Sequence, residues 1–204
     1  MINSAESFMR KKLDERKLNA AFRSLKTGGN QVDFFSNDYL GIASKEFTID
    51  TSVANPFQRN GSTGSRLLSG HSVEASSLED WIQITFNAEA ALVFNSGFDA
   101  NLGLMSTLPG RNDTVFYDSL VHASLREGIR LSPSKAYSFK HNDVEDLRKK
   151  ASLAQGIVYV VIESVYSMDC DEPNLADFDS FCKEFGLHLI VDEAHGLGVR
   201  GESG

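Results

Sequence analysis

Cysteine and proline are scarce in this sequence, and it has no long hydrophobic run. Its 204 residues include two cysteines, Cys170 and Cys182, and four prolines. Two cysteines are too few for a disulfide framework, and their spacing does not match that of a zinc site. No apolar run approaches the roughly 18 residues of a membrane-spanning helix, and residues 1–17 are too charged for a signal peptide. These absences predict a cytoplasmic protein that does not engage a membrane.

Basic residues are also in short supply. Lysine and arginine number 20 against 28 aspartates and glutamates, which gives a net charge of -8. This balance argues against a general nucleic-acid-binding protein, which would carry a basic face. The length predicts one large domain, alone or with a small appendage. We expect a helix and a short strand over residues 1–45 and the large domain over residues 46–204.

Hydrophobic periodicity predicts helices that alternate with strands along most of the chain. Helices are predicted over residues 3–26, 72–87, 97–108, 121–131, 142–153 and 175–185, with Asn142 and Glu145 as a capping box. Strands are predicted over residues 32–36, 90–94, 114–117, 136–139, 157–162 and 187–192, and a glycine- and serine-rich loop over 60–71. Continuous apolar strands between helices are typical of a parallel sheet covered on both faces. The predicted fold is therefore α/β: a mostly parallel sheet with helices on both faces, preceded by an N-terminal helical segment.

Two motifs near the end of the chain suggest nucleotide binding. Residues 196–201 match GxGxxG, but that fingerprint requires a strand directly before the glycines and a helix after them. Residues 189–195, LIVDEAH, resemble the magnesium-binding strand of a DEAH-box ATPase. Such an ATPase also needs a phosphate-binding loop with Gly-Lys-Ser or Gly-Lys-Thr, and the sequence contains neither tripeptide. A nucleotide hydrolase built on DEAH remains an alternative. Failure to bind ATP with magnesium would exclude it.

Several polar residues lie at or just after the ends of predicted strands. They are Ser96-Gly97-Phe98, His122, Ser167, Asp192 and His195. Ligands of parallel sheets bind at the carboxyl ends of the strands, so these groups could meet in one cleft. Together they suit pyridoxal phosphate: a helix N-terminus binds its phosphate, and a carboxylate keeps its pyridine nitrogen protonated.

Longer motifs carry a resemblance to a known family. The segments SNDYLG, GSTGSRLLSGH, FNSGFDAN, DSLVHASLREG, ESVYSMDCD and VDEAHGLGVRGESG occur in series. In order and spacing they resemble the α-oxoamine synthases, a fold-type-I family that depends on pyridoxal 5′-phosphate. The resemblance implies the large domain of such a transferase, homodimeric in its full-length form. The GSTGSRLLSG form favours the biotin-pathway branch, which joins L-alanine to a pimeloyl thioester with loss of CO2. Glycine or serine with another acyl-CoA is the alternative.

The resemblance also implies roles for individual residues around the cofactor. Residues 96–98 would bind the phosphate, and His122 would stack on the pyridine ring. Ser167 and His195 would contact the ring hydroxyl, and Asp192 would pair with the pyridine nitrogen. Of these, His122, Asp192 and His195 are the predicted catalytic residues.

The implied substrate contacts lie in the N-terminal segment and at His122. Asn37 would meet the carboxylate of the amino acid, and Arg23 would lie near the acyl substrate, carried by CoA or a carrier protein. Cys170 stands where the family usually has glycine, so we expect a local adjustment of the turn. The Schiff-base lysine of the family lies beyond DEAHG, and no lysine here occupies a matching motif. We therefore expect the 204 residues alone to be inactive, and a non-catalytic binding module of the same fold is a further alternative.

Overall fold

The computed structural model describes residues 5–24, 32, 36–44 and 61–201. They fall into two compact units, Met1–Ala43 and Ser44–Gly204. Within the described residues, no helix combines the length and the apolar character needed to cross a membrane.

Among the described residues of the N-terminal unit, Ala5–Leu18 form an α-helix, α1. It ends well before the predicted residue 26. Ala20 adopts a left-handed backbone with φ 52°, and the N–H of Ala21 donates to the carbonyl of Arg16. That closure terminates helices. In the predicted turn after Ser36, Asp38 accepts hydrogen bonds from the N–H groups of Ile42 and Ala43, where a short 3-10 helix over Ile42–Ser44 begins. Residues 33–35 of the predicted strand 32–36 lie outside the described residues.

The described part of the second unit is built on four parallel strands. They are β1 (Thr114–Asp118), β2 (Lys135–Phe139), β3 (Val158–Glu163) and β4 (His188–Asp192). Their order in the sheet is β2-β1-β3-β4. Every adjacent pair is parallel, which confirms the predicted fold class. All six residues of β3 are buried, as its run of apolar residues predicts.

Helices connect the strands and cover both faces of the sheet. They are α2 (Val73–Phe86), α3 (Gly97–Thr107), α4 (Ala123–Leu131), α5 (Val144–Lys150) and α6 (Leu175–Phe185), with a 3-10 turn over Ala151–Leu153 after α5. On one face, Met105 of α3 and Leu125 of α4 pack against Val161 of β3. On the other face, Leu147 of α5 and Phe178 of α6 pack against alternate strand residues. The sheet is therefore enclosed by helices on two sides.

The predicted strand over residues 90–94 is wrong. Residues 90–94 have no regular secondary structure and pair with no strand of the described sheet, and Leu92 and Phe94 are exposed. The N–H of Val93 donates instead to the carboxylate of Glu79, 2.8 Å away. Apolar composition favours strands only where a neighbouring strand offers pairing and burial, and a side chain takes that place here.

Two further predictions need correction. Asp143, not Asn142, caps α5, because its carboxylate accepts from the N–H of Asp146 at 2.8 Å. Asn142 has a left-handed backbone with φ 54°, a conformation that asparagine tolerates. The predicted loop 60–71 contains a π-helical turn, Arg66–Gly70, and the Arg66 guanidinium binds both carboxylate oxygens of Glu79.

Candidate active site

Three carboxylates mark the carboxyl edge of the sheet. Asp118 ends β1, Glu163 ends β3 and Asp192 ends β4. Because the strands are parallel, these ends lie on one edge, and Glu163 and Asp192 are direct partners in the register. Asp118 and Glu163 are buried, whereas Asp192 is half-buried. Asp192 is therefore the most accessible of the three.

Both oxygens of the Asp192 carboxylate are held by hydrogen bonds. Oδ2 accepts from Nδ2 of Asn101 on α3 at 2.7 Å, and Oδ1 accepts from the N–H of Ala194 at 2.9 Å. Hydrogen bonds to a charged acceptor are stronger than those between neutral groups. They fix the direction in which this carboxylate points from the end of β4.

His122 is fixed at the start of α4. Its Nδ1 lies 2.8 Å from Oγ of Ser124 and accepts from the N–H of Ser124 at 3.3 Å, so the imidazole caps the helix. Its own backbone N–H donates to the carboxylate of Glu163. The ring is exposed and meets Phe98 edge-on, with ring centroids 6.4 Å apart. His122 therefore lies between α3 and the end of β3.

The predicted phosphate-binding segment opens α3. Ser96 is the N-cap, and its hydroxyl accepts from the N–H of Asp99 at 3.0 Å. The next residue, Gly97, has no atom within 4 Å of the position a Cβ would take. The first turn of a helix leaves backbone N–H groups without partners inside the helix, and these groups attract anions. The open space at Gly97 leaves room for an anion at this helix end.

Ser167 and His195 lie in turns that follow β3 and β4. Ser167 is exposed, and His195 is half-buried in the series of turns over residues 194–199. Both turns leave the same edge of the sheet as Asp192. Cys170, in the Ser167 turn, has a left-handed backbone with φ 54°. Glycine adopts this conformation most readily, which agrees with the glycine usual at this position in the family.

A cluster of four side chains holds the Ser167 turn. We call this cluster, formed by His141, Asp118, Asp171 and Tyr166, the His141 clamp. His141 Nδ1 lies 2.9 Å from Oδ1 of Asp118, and its Nε2 lies 2.6 Å from Oδ2 of Asp171. The imidazole also meets Tyr166 edge-on, with centroids 4.5 Å apart. Partial burial lowers the pKa of His141, but the hydrogen bonds to the two aspartates outweigh it and raise the pKa above its usual value. The clamp thus joins the ends of β1 and β2 to the loop after β3.

Glu163 is the most strongly perturbed carboxylate at this edge. Burial raises its pKa to about 7, and the nearby charges of Asp192 and Asp118 add to the rise. The hydrogen bond from the N–H of His122 and the proximity of His141 oppose it. This carboxyl group therefore titrates near neutrality, a property common at functional sites.

Two of the three predicted substrate residues lie in the N-terminal unit. Arg23 and Asn37 are both exposed there. Their assignment to substrate remains a prediction. The structure does bring Phe98, His122 and Asp192 together, through contacts among α3, α4 and β4.

Sequence reasoning missed four residues that hold this site: Asn101, Ser124, His141 and Glu163. Asn101 offered one signal, since it lies four residues after Gly97, on the same face of the helix. Glu163 ends a buried strand next to Asp192, which parallel pairing could have indicated. The partners of the other two residues become evident only once the strands are ordered.

The GxGxxG match lacks the structural context of a dinucleotide site. Residues 194–199 form turns after β4, so the GxGxxG match does not open a helix. Gly196 is buried, and a Cβ there would overlap the side chains of Ser164 and Glu193. This packing accounts for a glycine here without any need for a dinucleotide.

The groups present fit pyridoxal phosphate. An oriented carboxylate, a flat imidazole and an open helix N-terminus lie within one connected set of contacts. The carboxylate suits a protonated pyridine nitrogen, the imidazole suits a flat ring, and the helix end suits a phosphate.

Comparison with known proteins agrees with this fit to pyridoxal phosphate. Residues 29–204 match the family described as aminotransferase class I and II. The chain is 41% identical over 180 residues to the 8-amino-7-oxononanoate synthase of Alkalilimnicola ehrlichii. This alignment covers 87% of this chain and 46% of that protein. The chain spans about half the length of the curated relatives it matches.

Solved structures of serine palmitoyltransferases share the fold. The enzyme of Sphingomonas wittichii superposes with a TM-score of 0.67 at 40% identity, over 70% of this chain and 36% of that one. A variant of the S. paucimobilis enzyme, solved with bound PLP–myriocin aldimine, gives a TM-score of 0.62 at 34% identity, over 64% of this chain and 34% of that one. Both kinds of relative are α-oxoamine synthases, so the resemblance found in the sequence motifs is confirmed.

Proposed function

Because this chain belongs to the aminotransferase class I and II family, whose cofactor is pyridoxal 5′-phosphate, we propose that the protein carrying it is a C-acyltransferase of the α-oxoamine synthase type. It condenses L-alanine with a pimeloyl thioester, releases CO2 and the thiol carrier, and forms 8-amino-7-oxononanoate for biotin synthesis. The similarity to 8-amino-7-oxononanoate synthases supports this choice of substrates. The geometry of Asp192 is the observation that carries the proposed cofactor chemistry.

When bound, pyridoxal phosphate supplies an electron sink that stabilises negative charge next to the amino group of a substrate. Asp192 keeps the pyridine nitrogen protonated, because its carboxylate accepts a charge-assisted hydrogen bond there. Its two oxygens already accept from Asn101 and Ala194, which hold it in one direction. A fixed carboxylate loses little entropy when it binds its partner.

The other residues bind and orient the cofactor and the substrates. The N–H groups of Gly97 and Phe98 bind the phosphate at the start of α3, beside the capping Ser96. His122 stacks on the ring. Ser167 and His195 donate to the ring hydroxyl. In the N-terminal unit, Asn37 binds the amino-acid carboxylate and Arg23 the acyl substrate.

Binding of the cofactor tests the role of Asp192. The protein carrying this chain is titrated with pyridoxal phosphate, and binding is followed by absorbance. The variant Asp192→Asn keeps the size of the side chain but removes its charge, so we expect the dissociation constant to rise at least roughly tenfold. Asp179→Asn, on the outer face of α6 where Asp179 pairs with Lys183, is the matched control and leaves binding unchanged. Equal affinity in both variants contradicts the proposal.

A second candidate activity uses serine with a long-chain acyl-CoA. The superposition on serine palmitoyltransferases, at up to 40% identity, favours it. Product formation from alanine, glycine and serine, each with pimeloyl-CoA and with palmitoyl-CoA, separates the two. We expect alanine with pimeloyl-CoA to react fastest, whereas faster reaction of serine with palmitoyl-CoA establishes the second activity.

A further inference from the structure

We propose that Asn101 is a positioning residue that ties Asp192 to His122 and holds the His122 imidazole as its Nε2–H tautomer. The inference rests on the proposed function, which gives Asp192 and His122 their places around the cofactor. Asn101 has no assigned role in that reaction. It lies half-buried on α3, between the end of β4 and the start of α4.

The orientation of the Asn101 amide follows from its partners. An ionised carboxylate only accepts hydrogen bonds, so Nδ2 rather than Oδ1 must face Asp192, at 2.7 Å. The same Nδ2 donates its second hydrogen to Oγ of Ser124, 3.0 Å away. Both amide hydrogens are therefore committed, one toward β4 and one toward α4.

Ser124 passes this orientation on to His122. Its oxygen accepts from Asn101, which leaves its own hydrogen for Nδ1 of His122 at 2.8 Å. The backbone N–H of Ser124 also faces Nδ1, at 3.3 Å. Ser124 is fully buried, so water does not compete for its hydroxyl. With two donors directed at it, Nδ1 acts as an acceptor and carries no proton.

The proton of the neutral imidazole then lies on Nε2. An uncharged ring stacked on a protonated pyridine avoids the repulsion between two like charges that an imidazolium would introduce. Contacts run from Asp192 through Asn101 and Ser124 to His122. The Asn101 side chain thus fixes both the orientation of the Asp192 carboxylate and the tautomer of the His122 ring. Removal of that side chain disturbs both at once.

Nitrogen NMR of the protein labelled with 15N-histidine reads the tautomer directly, and His122→Gln assigns the signals. Without added cofactor we expect Nδ1 of His122 to be unprotonated and Nε2 to carry the hydrogen. In Asn101→Ala the Ser124 hydroxyl can turn and accept, so the signals move toward a mixture of tautomers. Ser106→Ala, on the same helix, removes only a hydrogen bond to the helix backbone and keeps the wild-type signals.

Binding of pyridoxal phosphate is measured on the same samples. Loss of one hydrogen bond to the Asp192 carboxylate weakens binding roughly tenfold in Asn101→Ala. Ser124→Ala, a smaller change in a buried position, replaces Asn101→Ala if that variant fails to fold, and shifts the tautomer in the same direction. A proton on Nδ1 in the wild type, or an unchanged tautomer in both variants, overturns the inference even where the cofactor binds. If the protein shows the expected tautomer but binds no cofactor, the proposed function is overturned, whereas the inferred hydrogen bonds from Asn101 to His122 are supported.

Discussion

The carboxylate of Glu163, at the end of β3, accepts a hydrogen bond from the backbone N–H of His122 at the start of α4. This contact joins the centre of the sheet to the helix that presents the imidazole. Glu163 is 4% exposed, so the bond forms inside the protein. The position of His122 therefore depends on a buried acid whose protonation changes near neutral pH.

Glu163 is expected to make the protein less stable as the pH rises. Its pKa is about 7 in the folded protein against 4.5 as the ordinary value, so the folded state binds more protons between these two values. Stability falls across that window, by about 3 kcal/mol for a shift of this size. Glu163→Gln keeps an oxygen that can accept from His122 and removes the titration. Urea unfolding at pH 5 and pH 8 should show a smaller decrease in the free energy of unfolding for the variant.

The control for this prediction is Glu145→Gln. Glu145 is a glutamate in the first turn of α5, with a largely exposed side chain. This variant should retain the wild-type dependence on pH. The assignment to Glu163 fails if Glu163→Gln retains it as well.

The His141 clamp should stabilise the protein most at low pH. The pKa of His141 is raised in the folded state, so its contribution is complete below about 6.5 and is lost as the pH rises through the higher folded value. We expect His141→Gln to lower the free energy of unfolding by about 1–3 kcal/mol at pH 6 and by less at pH 9. His188→Gln, at an exposed histidine that begins β4, is the comparison. A loss independent of pH would show that packing against Tyr166, rather than charge, accounts for the clamp.

The close contact between α3 and α4 depends on Gly128. A Cβ at this position would lie 2.7 Å from Cβ of Met105 and 2.9 Å from the carbonyl oxygen of Asn101. Gly128→Ala should therefore cost about 1–3 kcal/mol, although alanine is the better helix former. Gly103→Ala on α3 meets only ordinary contact, 3.5 Å from the Phe94 ring, and should gain up to about 1 kcal/mol. Thermal unfolding of the two variants should give shifts of opposite sign.

Cys170 offers a stabilising substitution. Its φ of 54° costs about 1–2 kcal/mol for a residue with a Cβ, whereas glycine adopts this backbone freely but loses about 0.5–1 kcal/mol more entropy on folding. Cys170→Gly should thus raise the free energy of unfolding by about 0.5 kcal/mol. Cys170→Ala keeps the Cβ and should gain nothing. A gain of equal size in both variants would attribute the effect to loss of the thiol.

The sequence allowed the sheet and most of its helices to be predicted because their patterns are local. The apolar run of β3 and the helical spacing of Phe178 and Phe181 are visible without any partner. Residues 90–94 have the same apolar character, but whether they form a strand depends on a neighbour that periodicity does not reveal. The end of α1 depends on a left-handed Ala20, and alanine gives no signal for that conformation.

The sequence indicated candidate groups that end strands or follow them, such as Asp192 and His122, whose roles stay predictions. It did not indicate the residues that hold those groups. Asn101 contacts Ser124, 23 residues away, and Asp192, 91 residues away, so its role requires the order of the strands. His141 follows a short, half-exposed strand, and its two aspartate partners lie apart in the sequence, Asp118 at the end of β1 and Asp171 in the loop after β3.

The hydrogen bond between Asn101 and Asp192 also has a consequence for biosynthesis. At about 5–20 residues per second, the ribosome adds the aspartate about 5–18 s after the asparagine. During that interval α3 and α4 can already pair through local contacts, but the Asn101 amide on α3 has no carboxylate to bind. A cofactor that needs Asp192 can therefore be captured only after β4 has been synthesised and has joined the sheet.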